Sequence, residues 1–131
     1  MRIKQSQQVP QNNVNMDGAA GCQVRILVGG DEQAPNFVMR QFEVAPGGHT
    51  PRHFHPYEHE IYVLEGNGVI VDDAVERPLA AGDVVYVAPD DVHQFRNSGD
   101  VPLKFLCLIP NSATGKNVTV VPECGLEQKP K

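Results

Sequence analysis

Short apolar runs separated by turn-forming residues dominate the chain from Cys22 onward. Each run is rich in Val, Ile, Leu, Phe or Tyr and is closed by Gly, Pro, Asp or Asn, which is typical of strands and their connecting turns. No stretch has the periodicity of an amphipathic helix. The pattern predicts strands at residues 23–28, 36–44, 60–64, 69–71, 75–76, 84–87, 92–95, 103–109 and 117–121. We interpret the glycine-containing segments 29–31 and 66–68 as hairpin turns between these strands.

The run from 103 to 109 also predicts which side chains face the core. Successive residues of a strand point to opposite faces of the sheet. The charged Lys104 is expected to face solvent. The opposite parity then places four side chains inward: Leu103, Phe105, Cys107 and Ile109.

Regularly spaced short strands predict a sandwich or a barrel, and 131 residues are enough for a single core. We therefore predict one all-β domain over residues 22–131. Residues 1–21 are polar and lack periodicity, so we interpret them as an arm outside the core. Two interpretations of the arm remain open: a disordered tail, or a segment that adds a strand to a partner subunit through residues 2–6. We expect a homodimer, because closed twofold symmetry is the commonest oligomeric state.

Composition and charge narrow the classes of partner. The net charge of -5 and the isoelectric point near 5.4 argue against nucleic acid or an anionic membrane surface as a partner. No apolar run resembles a signal peptide core or approaches a membrane span, so we expect a cytoplasmic location. The odd set Cys22, Cys107 and Cys124 has no Cys-x-x-Cys pair, which fits reduced thiols better than a disulfide framework.

The spacing of four histidines is typical of a metal site. His53, His55 and His59 lie close together, and His93 follows in a distant predicted strand. Neutral imidazole is the commonest protein ligand for first-row transition metals. Residues i and i+2 of a strand share a face, so His53 and His55 project together. The fifth histidine, His49, lies in a glycine-rich segment and is assigned no ligand role.

Two motifs around these histidines resemble those of the cupin superfamily. The first motif consists of Gly47, His53, His55, Glu60 and Gly66. The second consists of Gly82, Pro89, His93 and Asn97, with the proline one place later than usual and Asp90 where a glycine is usual. The resemblance covers roughly residues 23–109. It implies an all-β cupin barrel, a double-stranded β-helix or jelly roll, with a metal bound inside near one end.

The third metal ligand has two candidates, His59 and Glu60. Strand alternation places His59 on the face of Ile61 and Val63 and Glu60 on the opposite face, so only one should reach the ion. The segment from His55 to Gly66 resembles small cupins that bind manganese through four histidines. That resemblance implies the ligand set His53, His55, His59 and His93. The alternative is three histidines plus Glu60.

The resemblance and the ligand chemistry together imply a divalent transition metal. Mn(II) or Fe(II) is expected as the biological ion, whereas Ni(II), Cu(II) or Zn(II) can enter a purified sample, since raw affinity follows the Irving–Williams order. Four protein ligands on an octahedral ion leave two positions open for a substrate and an oxidant. No residue is assigned a catalytic role from the sequence.

Side chains near the histidines predict a largely apolar pocket. Shared parity with the histidines assigns Phe95, Ile61 and Val63 to its wall, and the inward face of 103–109 adds Phe105 and Cys107. The sequence leaves two orientations of Arg40 open. An inward Arg40 would hold a carboxylate substrate, whereas an outward Arg40, which we slightly favour, would be a routine surface charge.

The expected partner is therefore a small apolar or aromatic molecule, and the expected function is a metal-dependent oxidoreductase of dioxygenase type. Two alternatives remain open, a metal or small-ligand binding or sensor protein and a metal-dependent isomerase, because a fold does not fix a function.

Overall fold

The structure, a computed structural model, describes residues 1–113 and 118–121. Within these ranges the chain forms eleven strands and short 3₁₀ turns, with no α-helix and hence no helix suited to crossing a membrane. The strands are β1 Asn12–Asn13, β2 Ala20–Val28, β3 Phe37–His49, β4 His53–Phe54, β5 His59–Glu65, β6 Asn67–Asp72, β7 Val75–Ala80, β8 Val84–Val87, β9 His93–Arg96, β10 Leu103–Pro110 and β11 Thr119–Val120. The 3₁₀ turns are Ser6–Gln8, Gly30–Glu32 and Asn111–Ala113.

The strands form one curled antiparallel sheet with two layers. The first layer runs β1-β2-β3-β10-β5-β8, and the second contains β7, β6, β9, β4 and β11. Strand β3 belongs to both layers: it pairs with β2 and β10 along most of its length and reaches β9 through the pair His49 and Arg96. This arrangement confirms the predicted all-β cupin barrel, with its core enclosed between the layers.

Burial along β10 and β5 confirms the predicted faces. Side chains alternate strictly in β10, where Leu103, Phe105, Cys107 and Ile109 are each at most 3% exposed. In β5 the inward residues are His59, Ile61 and Val63, and the outward ones are Glu60, Tyr62 and Leu64. These inward residues join the hydrophobic core, apart from His59, whose imidazole points to the same interior.

Strand β3 extends beyond the predicted end at residue 44. The segment Pro46-Gly47-Gly48 continues the strand to His49, because the glycines allow a close approach between backbones. A Cβ at Gly48 would lie 2.5 Å from the carbonyl oxygen of Ala20. The Gly47 N–H donates to the Asn97 carbonyl at 3.1 Å, and the Asn97 N–H donates to the Gly48 carbonyl at 3.0 Å. These bonds tie the two layers together at one end of the barrel.

The predicted hairpin at residues 66–68 is wrong, whereas the one at 29–31 is confirmed. Strands β2 and β3 pair with each other, as a hairpin requires. Strand β5 does not pair with β6: it pairs with β10 and β8, while β6 pairs with β7 and β9. Gly66, with φ of 85°, therefore carries the chain from one layer to the other. A side chain there would meet the Pro102 carbonyl oxygen at 2.5 Å.

The arm, residues 1–21, lies along β2 of its own chain. Asn12 and Asn13 pair with Val24 and Gln23, and the Val14 N–H donates to the Cys22 carbonyl at 2.9 Å. A second anchor is Arg25, whose guanidinium donates to backbone carbonyls of the arm at residues 7 and 9. The arm thus covers part of the outer edge of the first layer.

Candidate metal centre

Three short strands bring four histidines to one end of the barrel interior. His53 lies in β4 and His93 begins β9, where the two residues are direct partners in the ladder. His55 follows β4, and His59 begins β5. Each ring contributes one nitrogen to a group of four atoms that all lie within 4.8 Å of one another. The structure therefore gathers the four histidines that the sequence motifs single out.

The Nδ1 atoms of three histidines are held by backbone carbonyls. His53, His55 and His93 contact the carbonyl oxygens of residues 51, 57 and 91, each at 2.7 Å. A carbonyl only accepts, so each Nδ1 carries the hydrogen and each Nε2 keeps its lone pair. This arrangement is typical of metal-ligating histidines, in which the second ring nitrogen fixes the tautomer and the ring orientation.

The fourth histidine, His59, has a sulfur partner instead. Its Nδ1 lies 3.0 Å from Sγ of Cys107. With the hydrogen on Nδ1, its Nε2 also presents a lone pair to the centre of the cluster. That Nε2 lies 2.7 Å from Nε2 of His55.

Two observations show that the cluster fits a metal ion. With the hydrogen on Nδ1 of both rings, the lone pairs of His55 and His59 face each other at 2.7 Å, and a cation between them relieves their repulsion. Adjacent ligands on an ion with metal–nitrogen bonds of about 2.1 Å come to a similar separation. Among the described residues, Nε2 of His93 is also buried without a hydrogen-bond partner. A buried ring nitrogen is costly to leave unsatisfied, and coordination removes that cost.

Burial keeps these imidazoles in the form that binds metal. Desolvation is the largest cause in every case: it lowers the pKa of His53 to about 4 and that of His93 to about 3. The pKa values of His55 and His59 are lowered as well, with burial as the largest cause and neighbouring positive charge as a further one. All four rings are therefore neutral near pH 7, as coordination requires.

The two candidates for the third ligand lie on opposite faces of β5. His59 is 6% exposed and belongs to the cluster. Glu60 is exposed on the outer face, where its ladder partners are Tyr86 in β8 and Leu108 in β10. The geometry thus favours His59 as the third ligand.

A cavity of about 200 Å³ opens beside the cluster. Three of the four histidines form part of its wall, and most of the remaining lining is apolar or aromatic. Of the predicted pocket residues, those on the wall are Arg40, Phe95, Phe105 and Cys107. Two others, Ile61 and Val63, lie in the core with 2% and 0% exposure and do not line this cavity.

Arg40 faces inward, which corrects the slightly favoured outward orientation. Its Nη2 donates to Sγ of Cys107 at 3.0 Å, and its guanidinium carbon lies 4.9 Å from the ring centroid of Phe42. The reason is parity along β3, since Arg40 shares a face with the buried Val38 and Val44. Phe42 has the same parity. This row of apolar residues at every second position is visible in the sequence and could have assigned Arg40 to the inner face.

Several cavity residues were not found from the sequence. Phe42 stacks on Phe105, which stacks on Phe95, with ring centroids 5.4 and 4.5 Å apart. Tyr57 stacks on His55 at 3.9 Å. Others come from the arm and from β2: Val14, Met16, Val24 and Ile26. No local signal points to Val14 and Met16, because their place depends on how the arm docks.

Comparison with known proteins identifies the family. The family model described as a cupin domain matches residues 40–109. An oxalate-binding protein of Thermotoga maritima is 32% identical over 113 residues, which span 83% of this chain and 93% of that protein. The chain therefore belongs to the cupin family.

The names of two other similar proteins refer to polyketide biosynthesis. The structure of the polyketide cyclase RemF of Streptomyces resistomycificus superposes with a TM-score of 0.85 at 29% identity, covering 97% of this chain and 91% of that one. The tetracenomycin polyketide synthase protein TcmJ of Streptomyces glaucescens is 30% identical over 67 residues. That match spans 50% of this chain and 45% of TcmJ.

Proposed function

We propose that this cupin is a metal-dependent enzyme acting on a small aromatic or polyketide-like molecule that bears carbonyl or phenol oxygens. The observation that carries the proposal is the shared wall of the cavity: His53, His59 and His93 line it together with the stacked rings of Phe42, Phe95 and Phe105. A molecule seated there meets aromatic surface on one side and the histidine cluster on the other. We propose Mn(II) or Fe(II) as the native ion, held by the four histidines.

Ring closure of a poly-β-carbonyl chain is the reaction we favour. An ion held by His53, His55, His59 and His93 would supply Lewis acidity for polarising a carbonyl oxygen. In the reaction a carbon–carbon bond forms between an enol carbon and a carbonyl carbon, the carbonyl oxygen takes up the enol proton, and aromatisation releases water. The methylene groups between carbonyls are acidic, so this chemistry suits a cavity whose described lining residues include no Asp or Glu. The likeness to RemF over nearly the whole chain supports the same reaction class.

The protein side chains supply orientation and exclusion of water. The three stacked phenylalanines offer a flat apolar surface on which a nascent ring can lie. At the outer side of the cavity, Met16 and Ile26 are 39% and 46% exposed and shield its interior from solvent. Holding the two reacting carbons in contact in such a site is a large part of the rate enhancement of an intramolecular reaction.

Dioxygenase chemistry on the same class of molecule is the second candidate. It is favoured by the composition of the ligand set, because four neutral imidazoles would leave the charge of a bound ion uncompensated and would leave part of its coordination sphere for substrate and dioxygen. The two candidates share the site, the ion and the substrate class, and they differ in their products.

A product analysis distinguishes these functions. Protein loaded with Mn(II) or Fe(II) is incubated with an aryl triketone, a catechol and a diketone, while mass spectrometry and an oxygen electrode follow the reaction. We expect the triketone to lose one water and form a resorcinol without oxygen uptake. Gain of two oxygen atoms with oxygen consumption would select the dioxygenase. Saturable binding without any product would overturn both and select a binding protein. The metal-stripped protein is the negative control.

A further inference from the structure

The cavity beside the histidine cluster contains a guanidinium but no carboxylate among the described residues that line it. The cation is Arg40, which is half-buried on the inner face of β3. Its Nη2 touches Sγ of Cys107 at 3.0 Å, and the same sulfur touches Nδ1 of His59 at 3.0 Å. Two short contacts thus connect the guanidinium to the metal centre.

Arg40 retains a donor that no described residue satisfies. Its Nε is buried and has no hydrogen-bond partner within the described part of the chain. The guanidinium carbon lies over the ring of Phe42, an apolar neighbour that offers no acceptor for this N–H. At the surface, Arg77 is paired with the carboxylate of Asp72 at 3.1 Å. Arg40 lacks such a carboxylate, although its guanidinium is far less accessible to water.

The positive charges around the cavity favour an anionic ligand. A divalent ion held by four neutral imidazoles keeps both of its charges, and Arg40 adds a third. Buried charge without a counterion is costly in a medium of low polarity. A ligand with a negatively charged oxygen relieves both the ion and Arg40, and a guanidinium is well matched to a carboxylate because its donors lie in one plane.

We propose that the substrate is an organic anion and that Arg40 is the residue that selects it. The chemical class is an aromatic acid or an enolised acid of one or two rings, with its carboxylate or enolate oxygen at the Arg40 donors and a neighbouring oxygen facing the histidines. The size follows from the cavity of about 200 Å³, which is below the roughly 300–1,000 Å³ of sites for drug-sized molecules. This inference rests on the proposed function, because it names the charge of the molecule that the same site accepts.

A purely structural role for Arg40 makes a different prediction. If the guanidinium only packs on Phe42 and supports Cys107, any preference for an anion comes from the ion alone and should be the same with and without Arg40. A pair of probes with the same shape and different charge therefore tests the proposal. Salicylate and salicylamide are such a pair, since each has a ring with adjacent oxygens and only the first is an anion.

The experiment measures binding of both probes by calorimetry to protein loaded with Mn(II) and freed of excess ion. We expect salicylate to bind at least about tenfold more tightly than salicylamide. In Arg40→Met, salicylate binding should weaken by roughly ten- to a hundredfold while salicylamide is unaffected, because a hydrogen bond to a charged group is lost. Arg40→Lys should retain part of the preference. Arg77→Met is the matched control, since it removes the same charge from the exposed strand β7, and it should change neither probe.

Several results would overturn the proposal. Equal affinity of the native protein for both probes would do so, as would failure of salicylate to bind at millimolar concentration. An equal loss for both probes in Arg40→Met would indicate a packing role. If that variant loses metal or fails to fold, the comparison of the two probes on metal-free native protein decides, because Arg40 is then the one cationic side chain among the described residues that line the cavity. A charge preference without any turnover would support selection by Arg40 and contradict the proposed enzymatic function. Turnover of a neutral triketone without a charge preference would support the enzymatic function and contradict selection by Arg40.

Discussion

Replacing His59 and its neighbour Glu60 in turn separates a metal ligand from a surface residue. His59 is 6% exposed and its Nε2 lies 2.7 Å from Nε2 of His55. Glu60 is exposed on the outer face of β5. The perturbation is His59→Ala, and the matched control is Glu60→Gln, which removes a charge without changing the shape of the side chain. We expect only the first to weaken metal binding strongly.

The size of the effect follows from ligand-linked stability. Residues that merely support a metal ligand typically contribute ~10–100-fold to affinity, so loss of a ligand should cost at least ~100-fold. An ion at ~1,000 times its Kd stabilises the folded protein by ~4.1 kcal/mol, and the same ion at ~10 times its Kd stabilises it by ~1.4 kcal/mol. The difference of about 2.7 kcal/mol corresponds to a metal-dependent loss of roughly 10 °C in Tm for a domain of this size.

The assay is thermal unfolding with and without Mn(II), combined with elemental analysis of the purified variants. The increase in Tm on adding Mn(II) should fall to about a third of its native size in His59→Ala. It should be unchanged in Glu60→Gln, whose stability should stay within ~0.5 kcal/mol of the native protein. Comparing each variant with and without metal removes the cost of the cavity that the alanine leaves. If Glu60→Gln loses the increase and His59→Ala keeps it, the ion is held by three histidines and Glu60, and the reasoning fails.

Four further expectations concern the metal, Cys107, the pH dependence and the oligomeric state. Protein purified without an affinity tag should bind about one ion per chain after growth with Mn(II) or Fe(II), and less than about a tenth by elemental analysis would contradict the site. Cys107→Ala should weaken metal binding by ~10-fold in a chelator competition, because His59 loses its Nδ1 partner, and unchanged affinity would exclude that role. The metal-free protein should have constant stability between pH ~6.5 and ~8 and should lose stability as pH falls towards 4, because the unfolded chain then binds protons at His53 and His93, whose folded pKa values are about 4 and 3; constant stability down to pH 4 would refute this. We propose a homodimer of about twice 14.3 kDa by light scattering, weakened by deletion of residues 1–15, and a monomer at tens of micromolar that the deletion leaves unchanged would contradict it.

The alternation of inward and outward residues along the strands was the most informative signal in the sequence. The alternation in β10 assigned its inward side chains correctly, because one charged residue, Lys104, fixes the face of all its neighbours. The same rule correctly assigned His59 and Glu60 to opposite faces of β5. Parity works here because one face of each strand is buried, and a shift by one residue would bury charge and expose the core.

Glycine was the least reliable signal, because it serves two purposes. At Gly66 it carries the chain between layers, and at Gly48 it allows two backbones to approach within a strand. Both positions resemble turns in the pattern of their immediate neighbours. The contacts that distinguish these uses, such as those with Pro102 and Ala20, involve residues far away in the sequence and form only in the folded chain.

The relation between the metal centre and the anion-selecting residue is fixed by the register of the sheet. Cys107 in β10 is the direct partner of Arg40 in β3, and on its other side β10 pairs with β5, which begins at His59. The partner of Cys107 in β5 is Ile61, and His59 lies two residues earlier on the same face. The row of contacts from Arg40 through Cys107 to His59 therefore crosses three adjacent strands on a diagonal. If β10 were shifted by one residue, Leu106 or Leu108 would replace the thiol, and the contact between guanidinium and histidine would be broken. A site on paired strands holds its geometry more closely than a site on loops. Differences in ligand choice among related barrels should therefore arise at the arm, where Val14 and Met16 reach the cavity, while the row itself stays in place.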